Sequence, residues 1–246
     1  MKNLLITASQ SDLASVLARR AKERGGFRVI TTSRSAHTLE TTENHQHLSA
    51  VDLVSEVCLQ RLAQCADAFF DGPFGVVHFA GNYWKHKPLV QTSFDEIKGM
   101  VESHYLSLVG VARFLTPILI RKGGGRLVAM SCNSVAYNYP DLSPFTAPKA
   151  AIESFIKSYA NEYAEFSIGA TGIALPTMRT PKVLSDKTEG DHENYIDPEE
   201  FARIVLDQVL PESTYLTGNT IRLIKYSSTF YNKSYFDRNP RHVPIR

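Results

Sequence analysis

Short apolar runs alternate with amphipathic helical patterns along almost the whole chain of 246 residues, and this alternation restricts the folds that it can adopt. The predicted strands cover residues 3–7, 27–31, 75–79, 126–130, 171–175 and 220–224. The predicted helices between them cover residues 13–24, 53–69, 94–120, 146–165 and 198–210. Because a chain returns to a parallel neighbouring strand through a helical crossover, the pattern predicts a doubly wound parallel sheet with helices on both faces. We therefore predict one three-layer α/β domain over residues 1–224.

Charge and cysteine content narrow the class of protein further. The formal net charge is +2 at pH 7, which gives no reason to expect nucleic acid or a membrane as a partner. The three cysteines form no CxxC pair, and this favours a reduced, cytoplasmic setting. Cys58 and Cys65 are one helical repeat apart, so we expect them to pack in the core rather than bind a metal. No stretch predicts a signal peptide or a membrane span.

Three segments lack a clear strand or helix period. Residues 36–49 are rich in Thr and His and predict a loop with a short helix, its histidines solvated, before a short strand end at residues 51–53. Residues 183–195 are polar and predict a mobile loop or lid. The tail, residues 225–246, carries five cationic side chains against one carboxylate, an excess of +4. It either packs on the domain or on a neighbouring subunit, or its aromatic side chains cover the mouth of a substrate site.

The first predicted strand runs into a polar turn, residues 7–14, with the sequence TASQSDLA. Such a turn allows backbone N–H groups and a helix N-terminus to face a pyrophosphate. It resembles the TGxxxGxG turn of the short-chain dehydrogenase/reductase family, with Ala8 and Ala14 at two glycine positions and Asp12 at the middle one. Asp12 can cap the helix, whereas Ala8 replaces a glycine in a turn that alanine tolerates poorly. The resemblance implies that a dinucleotide is bound by Thr7, Ser9, Asp12 and Leu13.

Later segments match further motifs of this family in the expected order. Arg34 directly follows the second strand, where the family places a basic residue against the adenosine 2′-phosphate, and Ser33 before it is not an acid. The resemblance therefore implies NADP(H) as cofactor. Residues 78–81, HFAG, resemble NNAG with His78 and Phe79 in place of the two Asn, and residues 176–181, PTMRTP, resemble PGxxxT with Thr177 in place of the Gly. The further cofactor contacts implied are Asp52, Leu53, Ala80, Gly81, Lys149, Pro176 and Thr180. The family implies a Rossmann-like fold.

The family's catalytic YxxxK motif is altered in this chain. Lys149 stands at the Lys position, and Phe145 stands where the family has its Tyr. A phenyl ring has no proton to give, and losing a positioned acid typically costs ~10²–10⁴-fold in rate. Cys132 lies at the family's Ser position but is a poorer hydrogen-bond donor, and Ser131, one residue earlier, can fill the role with one residue of loop slack. His104 falls at the position of the family's Asn, where it either carries protons or is a core histidine held by a backbone carbonyl.

Other side chains can replace the missing proton donor. The loop before the motif contains Tyr137, Tyr139 and Asp141, and His86 follows the predicted strand at residues 75–79. The sequence leaves these alternatives open.

Three functions are consistent with these residues. The first is an NADP(H)-dependent oxidoreductase that acts on a small carbonyl or alcohol substrate without the usual Tyr. The second is a non-redox enzyme on the same fold, such as a dehydratase, isomerase or cyclase. The third is a catalytically inactive nucleotide-binding or regulatory protein. The resemblance also implies a homodimer or homotetramer paired through the helices at residues 94–120 and 146–165.

Overall fold

A computed structural model describes residues 2–36, 41–186, 192–210 and 216–225. Its strands are β1 Lys2–Ile6, β2 Phe27–Thr32, β3 His45–Leu48, β4 Phe74–His78, β5 Gly125–Cys132, β6 Ile168–Leu175 and β7 Asn219–Arg222. Its α-helices are α1 Asp12–Arg24, α2 Glu56–Phe69, α3 Phe94–Met100, α4 Ser107–Arg121, α5 Ser134–Tyr137, α6 Ser143–Glu162, α7 Pro181–Asp186 and α8 Pro198–Ile204. Two π-helical segments, Val101–Leu106 and Val205–Val209, continue α3 and α8.

All seven strands of the described residues form one parallel sheet in the order β3-β2-β1-β4-β5-β6-β7. The chain winds outward from β1 to β3 and then returns to place β4 beside β1. The order therefore reverses between β1 and β4, and a crevice opens at the carboxyl ends of these two strands. This confirms the predicted doubly wound α/β sheet and shows where a ligand site is expected.

The two faces of the sheet bury separate apolar clusters, because neighbouring strand residues point to opposite sides. In β1, Leu5 belongs to the cluster under α2, α4 and α6, whereas Leu4 belongs to the cluster under α1 and α8. Both side chains are fully buried. The predicted packing of Cys58 and Cys65 is confirmed, since both lie partly buried against the first cluster. Burial raises the pKa of the Cys65 thiol to about 11.

The prediction of a loop with a short helix and solvated histidines before residue 50 is wrong for the residues described. His45–Leu48 form the edge strand β3, which pairs with β2, and residues 51–53 form no strand. His45 is buried and its Nε2 lies 3.0 Å from Thr31 Oγ1. His47 lies between Thr31 and Ser33. Polar side chains here pair across two strands, so strand pairing outweighs the polar composition. Residues 37–40 lie outside the described part.

The long helical pattern beginning at residue 94 differs from the prediction in two respects. It is interrupted by the π-helical segment Val101–Leu106, which is a common feature of functional sites. The continuous run Phe94–Arg121 has 28 residues, and an 18-residue window within it has a mean hydropathy of 1.3, so it is long and apolar enough to cross a membrane, contrary to expectation. However, 50% of its apolar window is buried inside the fold, as in a core helix of a sheet protein.

The predicted lid and tail are only partly described. The lid begins with the short helix α7, and a 3₁₀ turn, His192–Asn194, follows later. Residues 187–191 between them, like residues 226–246 of the tail, lie outside the described part. The proposed separation of a C-terminal extension therefore remains a prediction.

Candidate active site

The backbone of the turn after β1 adopts a conformation that glycine usually provides, although an alanine occupies the position. Ala8 has a φ of 51°, in the left-handed region that disfavours side chains with a Cβ. The hydroxyl oxygen of Ser11 accepts the N–H of Ala14 at 3.4 Å, so Ser11 is the N-cap of α1 and the predicted capping role of Asp12 is wrong. Asp12 and Leu13 occupy the first helical turn, where backbone N–H groups have no partner within the helix. This turn lies at the crevice between β1 and β4.

The strained turn leads to a first prediction. Replacing Ala8 by Gly is expected to raise the free energy of unfolding by ~0.5–1 kcal/mol, because relief of left-handed strain exceeds the extra entropy of glycine in the unfolded chain. Urea unfolding measures the change. The matched control is Ala14→Gly, at a buried helical position, which is expected to lower stability by ~1 kcal/mol. A destabilised Ala8→Gly variant would show that the turn is not strained.

A buried hydrogen-bonded chain joins this turn to β4 and α4. Thr7 Oγ1 accepts the N–H of Phe79 at 3.0 Å and lies 3.2 Å from His78 Nδ1, and His78 Nε2 lies 3.1 Å from Ser107 Oγ. Ser107 donates its hydroxyl proton to the Ser103 carbonyl at 2.7 Å. These partners assign the Nε2–H tautomer to His78, because Nδ1 then accepts from Thr7 and Nε2–H donates to Ser107. Burial, with a smaller effect of Lys149, lowers the pKa of His78 to about 3.

At the adenosine end of the crevice the implied residues are held in different ways. Ser9 is buried, and both its N–H and its hydroxyl donate to the Thr32 carbonyl. Arg34 is exposed at the end of β2. Asp52 is exposed and accepts the Val54 N–H at 3.1 Å through one carboxylate oxygen. Leu53 is buried in the core. The charged groups of Arg34 and Asp52 therefore lie at the protein surface, whereas Ser9 and Leu53 are parts of the scaffold.

Gly81 and His104 are packed against each other at the end of β4. A Cβ on Gly81 would lie 2.3 Å from the His104 ring, and the φ of Gly81 is 154°, so only glycine fits here. His104 is buried, and its Nε2 lies 3.0 Å from the Asn82 carbonyl, the role of a core histidine held by a backbone carbonyl. Its Nδ1 is buried without a hydrogen-bond partner among the described residues. Because Nε2–H must donate to the carbonyl, Nδ1 is an unused acceptor.

Lys149 is a buried cation at the centre of the site. Its Nζ donates to the Met130 carbonyl at 2.8 Å, which uses one of three N–H groups. Burial lowers the pKa of Lys149 to about 8. Burial lowers the pKa of His104 to about 2, and the charge of Lys149 is the second cause of this shift. Both histidines of the site are therefore neutral, and the ammonium group is its titratable centre near neutral pH.

The Phe145 ring lies between these groups. The Lys149 Nζ is 5.7 Å from the ring centroid, and the His104 ring meets it edge-on at a centroid distance of 5.3 Å. On its other contacts, Phe145 packs against an apolar cluster of Trp84, Met100 and Leu142. The structure therefore brings Lys149, Phe145 and His104 together, as the sequence motifs imply.

The two candidates for the Ser role differ in their surroundings. The Ser131 hydroxyl donates to the Glu153 carboxylate at 2.7 Å, and Glu153 pairs with Arg222 at 3.2 Å. Cys132, whose side chain points to the opposite side of the strand, accepts the Ser134 N–H at 3.4 Å through Sγ. Cys132 has a small effect that raises the pKa of Lys149, opposite in sign to the larger effect of burial. Ser131 thus has a structural partner, and Cys132 is the residue electrostatically coupled to Lys149.

The remaining implied residues lie around the mouth of the crevice. Pro176 is half-buried, and Ala80 is half-buried beside Gly81. Thr180 is buried and accepts the Val183 N–H at 3.4 Å through its hydroxyl, so it helps to start α7. Tyr137 and Tyr139 are 45% and 40% exposed, with ring centroids 6.0 Å apart. The mutual packing of these two rings favours a surface role.

Comparison with known proteins identifies the class. A family model described as enoyl-(acyl carrier protein) reductase matches residues 7–223. A fatty acyl-CoA reductase of Acinetobacter baylyi is 25% identical over 232 residues, covering 90% of this chain and 77% of that protein. A short-chain dehydrogenase of Penicillium roqueforti is 27% identical, covering 77% of this chain and 78% of that protein. A 3-ketoacyl-(acyl-carrier-protein) reductase of Brucella melitensis, complexed with NADH, has a TM-score of 0.80 at 19% identity, covering 90% of this chain and 96% of that chain.

The sheet order, the crevice and the family match agree over the same residues. The chain belongs to the short-chain dehydrogenase/reductase family of oxidoreductases.

Sequence reasoning missed two parts of the site. His78 was recognised only as a replaced Asn, although it joins β1 to α4 through Thr7 and Ser107. Trp84 was not singled out, although it covers the Phe145 ring. It is the chain's single tryptophan and follows the HFAG segment closely, and these were the signals available.

Proposed function

We propose that the protein is an NADP(H)-dependent reductase of small carbonyl compounds in which Lys149 supplies the proton that a Tyr supplies elsewhere in the family. The observation that carries this proposal is the buried Lys149 ammonium group beside the Phe145 ring, with one N–H bound to Met130 O. A pKa of about 8 keeps the acid form dominant at neutral pH while the neutral amine remains accessible.

The residues present fit a nicotinamide dinucleotide. The turn at Ala8 keeps the glycine-like conformation, and the first turn of α1 offers unpaired N–H groups for a pyrophosphate. Gly81 brings backbone close to the site, and Lys149 has N–H groups left for ribose hydroxyls. When bound in reduced form, the cofactor supplies a hydride. Family membership and a structural neighbour that contains NADH support this choice of cofactor.

The proton balance follows from Lys149. Reduction of a carbonyl leaves an alkoxide oxygen that requires one proton. The Nζ–H bond of Lys149 breaks as the O–H bond of the alcohol forms, directly or through one water, and the neutral amine regains its proton from solvent. The His104 ring and Lys149 both border the Phe145 ring, and His104 Nδ1 is an unused acceptor in the same part of the site.

Arg34 is proposed to select NADP(H) over NAD(H). A guanidinium binds a phosphate through charge-assisted hydrogen bonds, and Arg34 is exposed where the 2′-phosphate is expected. Arg34→Ala is expected to weaken NADPH binding ~10-fold or more and to leave NADH binding unchanged, in line with ~1.5–3 kcal/mol for hydrogen bonds to charged groups. Calorimetric titration of both cofactors measures this. Arg203→Ala, an exposed arginine in α8, is the control, and equal losses for NADPH and NADH would refute the assignment.

Two further properties belong to this proposal. The three cysteines are free, in agreement with a reduced, cytoplasmic setting.

The exposed side of the helical run Phe94–Arg121 carries Phe94, Val101 and Leu106, which are 76%, 37% and 45% exposed. An apolar surface of this kind favours pairing with a second copy, in a homodimer or homotetramer.

A second candidate is a nucleotide-binding protein without turnover. The enclosure of Phe145 under Trp84, Met100 and Leu142 favours it, since these three side chains that pack against the ring are apolar.

One experiment separates the two candidates. NADPH is added to the protein with cyclohexanone or hexanal, and both the melting temperature and the consumption of NADPH are measured. A reductase raises its melting temperature and consumes NADPH with the carbonyl compound, at a rate that falls above about pH 8 as Lys149 loses its proton. A raised melting temperature without consumption supports the second candidate. No change in melting temperature at millimolar NADPH excludes both.

A further inference from the structure

Trp84 forms a wall between the protein surface and the Phe145 ring. It lies in the loop after β4 and is only 8% exposed, in the apolar cluster with Met100 and Leu142 that covers Phe145. On the outside, Trp84 and Met100 also line an open groove of about 650 Å³. The same two residues therefore border both the groove and Phe145, and a smaller side chain at position 84 is expected to open the groove toward Phe145.

The wall is fastened by loop contacts rather than by a strand or a long helix. The Trp84 Nε1–H donates to the Asp141 carbonyl at 3.1 Å, and the Lys87 N–H donates to the same carbonyl at 3.3 Å. The Lys87 ammonium lies 5.8 Å from the Trp84 ring centroid and is bonded to Glu96 at 2.6 and 2.8 Å. This arrangement holds the indole in one position against Phe145.

The neighbouring residue ties the same loop to the lid. The Lys182 ammonium lies 4.8 Å from the Tyr83 ring centroid, and Lys182 pairs with Asp186 at 3.7 Å in α7. Burial, together with the Asp186 carboxylate, raises the pKa of Tyr83. The loop that carries Trp84 is thus fixed on one side to Asp141 and on the other to α7.

We infer that Trp84 determines the size of the substrate, so that the site admits compact carbonyl compounds and excludes long acyl chains. The indole of Trp84 fills far more space than an Ala or Leu side chain would at this position. A packed aromatic ring of this kind buries ~150–250 Å² of surface. A chain of many methylenes that reaches the Lys149 ammonium from the groove must occupy the volume of the indole. The inference rests on the proposed function for its chemistry, but the exclusion itself is a property of binding.

The test compares 1-octanol with cyclohexanol as alcohol ligands, by calorimetric titration of the whole chain in wild type, Trp84→Ala, Trp84→Leu and Trp84→Phe. The ratio of the octanol to the cyclohexanol association constant is expected to rise at least ~10-fold in Trp84→Ala and Trp84→Leu, because ~1.4 kcal/mol of chain burial is gained. Trp84→Phe, which keeps an aromatic wall, is expected to stay near the wild-type ratio. Thermal unfolding shows whether each variant is folded. If Trp84→Ala does not fold, Trp84→Leu takes its place in the comparison.

Wild type provides an independent readout, because Trp84 is the single tryptophan of the chain. Its emission is expected to stay unchanged on addition of 1-octanol. Two results overturn the inference. One is tight binding of 1-octanol to wild type with a red shift of the Trp84 emission. The other is a ratio of octanol to cyclohexanol association constants that stays unchanged in both Trp84→Ala and Trp84→Leu. Because these are binding measurements, they decide the role of Trp84 whether or not any variant consumes NADPH. A lack of NADPH consumption would refute only the proposed reductase function.

Discussion

Replacing Phe145 by Tyr is expected to raise carbonyl reduction by ~10²-fold or more, because a positioned acid typically contributes ~10²–10⁴-fold. The Phe145 ring already lies 5.7 Å from the Lys149 Nζ and is supported by the edge of the His104 ring. A hydroxyl on this ring is therefore placed in a site with a buried cation, which favours the tyrosinate form and lowers the pKa of the new Tyr. The measurement is kcat/KM for cyclohexanone with NADPH.

The matched control is Phe145→Leu, which keeps an apolar side chain in the cluster but adds no hydroxyl. It is expected to show no gain over wild type. If Phe145→Tyr binds NADPH as tightly as wild type and still gives no gain, the site lacks more than the acid. That result would favour the nucleotide-binding protein without turnover.

Replacing Lys149 by Met is expected to change the pH dependence of stability strongly. The pKa of Lys149 is about 8 in the folded protein against an ordinary value of 10.5, so the folded state binds fewer protons than the unfolded state between these pH values. The contribution of Lys149 to the free energy of unfolding of the wild type therefore rises with pH between about 8 and 10.5. Below about pH 8 this contribution is constant and at its lowest. At ~1.4 kcal/mol per pKa unit, the penalty below pH 8 is about 3 kcal/mol.

Lys149→Met removes this penalty together with one hydrogen bond worth ~1 kcal/mol. The difference in unfolding free energy, variant minus wild type, is therefore expected to fall by about 3 kcal/mol between about pH 7.5 and about pH 10.5. Urea unfolding over this range measures the difference. The raised pKa values of Cys65 and Tyr159 act in the same range with the opposite sign, but both residues are present in each protein and cancel.

Lys157→Met, an exposed lysine in the same helix, serves as the control and is expected to change stability by less than about 0.5 kcal/mol. A difference for Lys149→Met that stays constant across the pH range would mean that Lys149 is not perturbed by burial. In that case the proposal that Lys149 supplies the proton loses its basis, while the proposal that a dinucleotide binds keeps the support of the turn at Ala8 and of Gly81.

The sequence was most informative where a residue type has few alternatives. The alternation of strand and helix patterns predicted the doubly wound sheet, because only crossover helices can join parallel strands. The family resemblance implied that Lys149, Phe145 and His104 share one site, and the structure brings them together. Where side chains pair across the sheet, the sequence was misleading, as in β3, whose histidines are held by β2.

The sequence by itself determined the fold class and the absence of a hydroxyl at Phe145, because both are encoded in local pattern and residue identity. Only the tertiary structure decided which groups surround that ring. The pKa of Lys149 depends on its depth of burial, the acceptor on His104 is free because the other ring nitrogen meets the Asn82 carbonyl, and Trp84 covers Phe145 because Asp141 fixes its loop. Desolvation and packing arise between residues distant in the chain, so no local pattern records them.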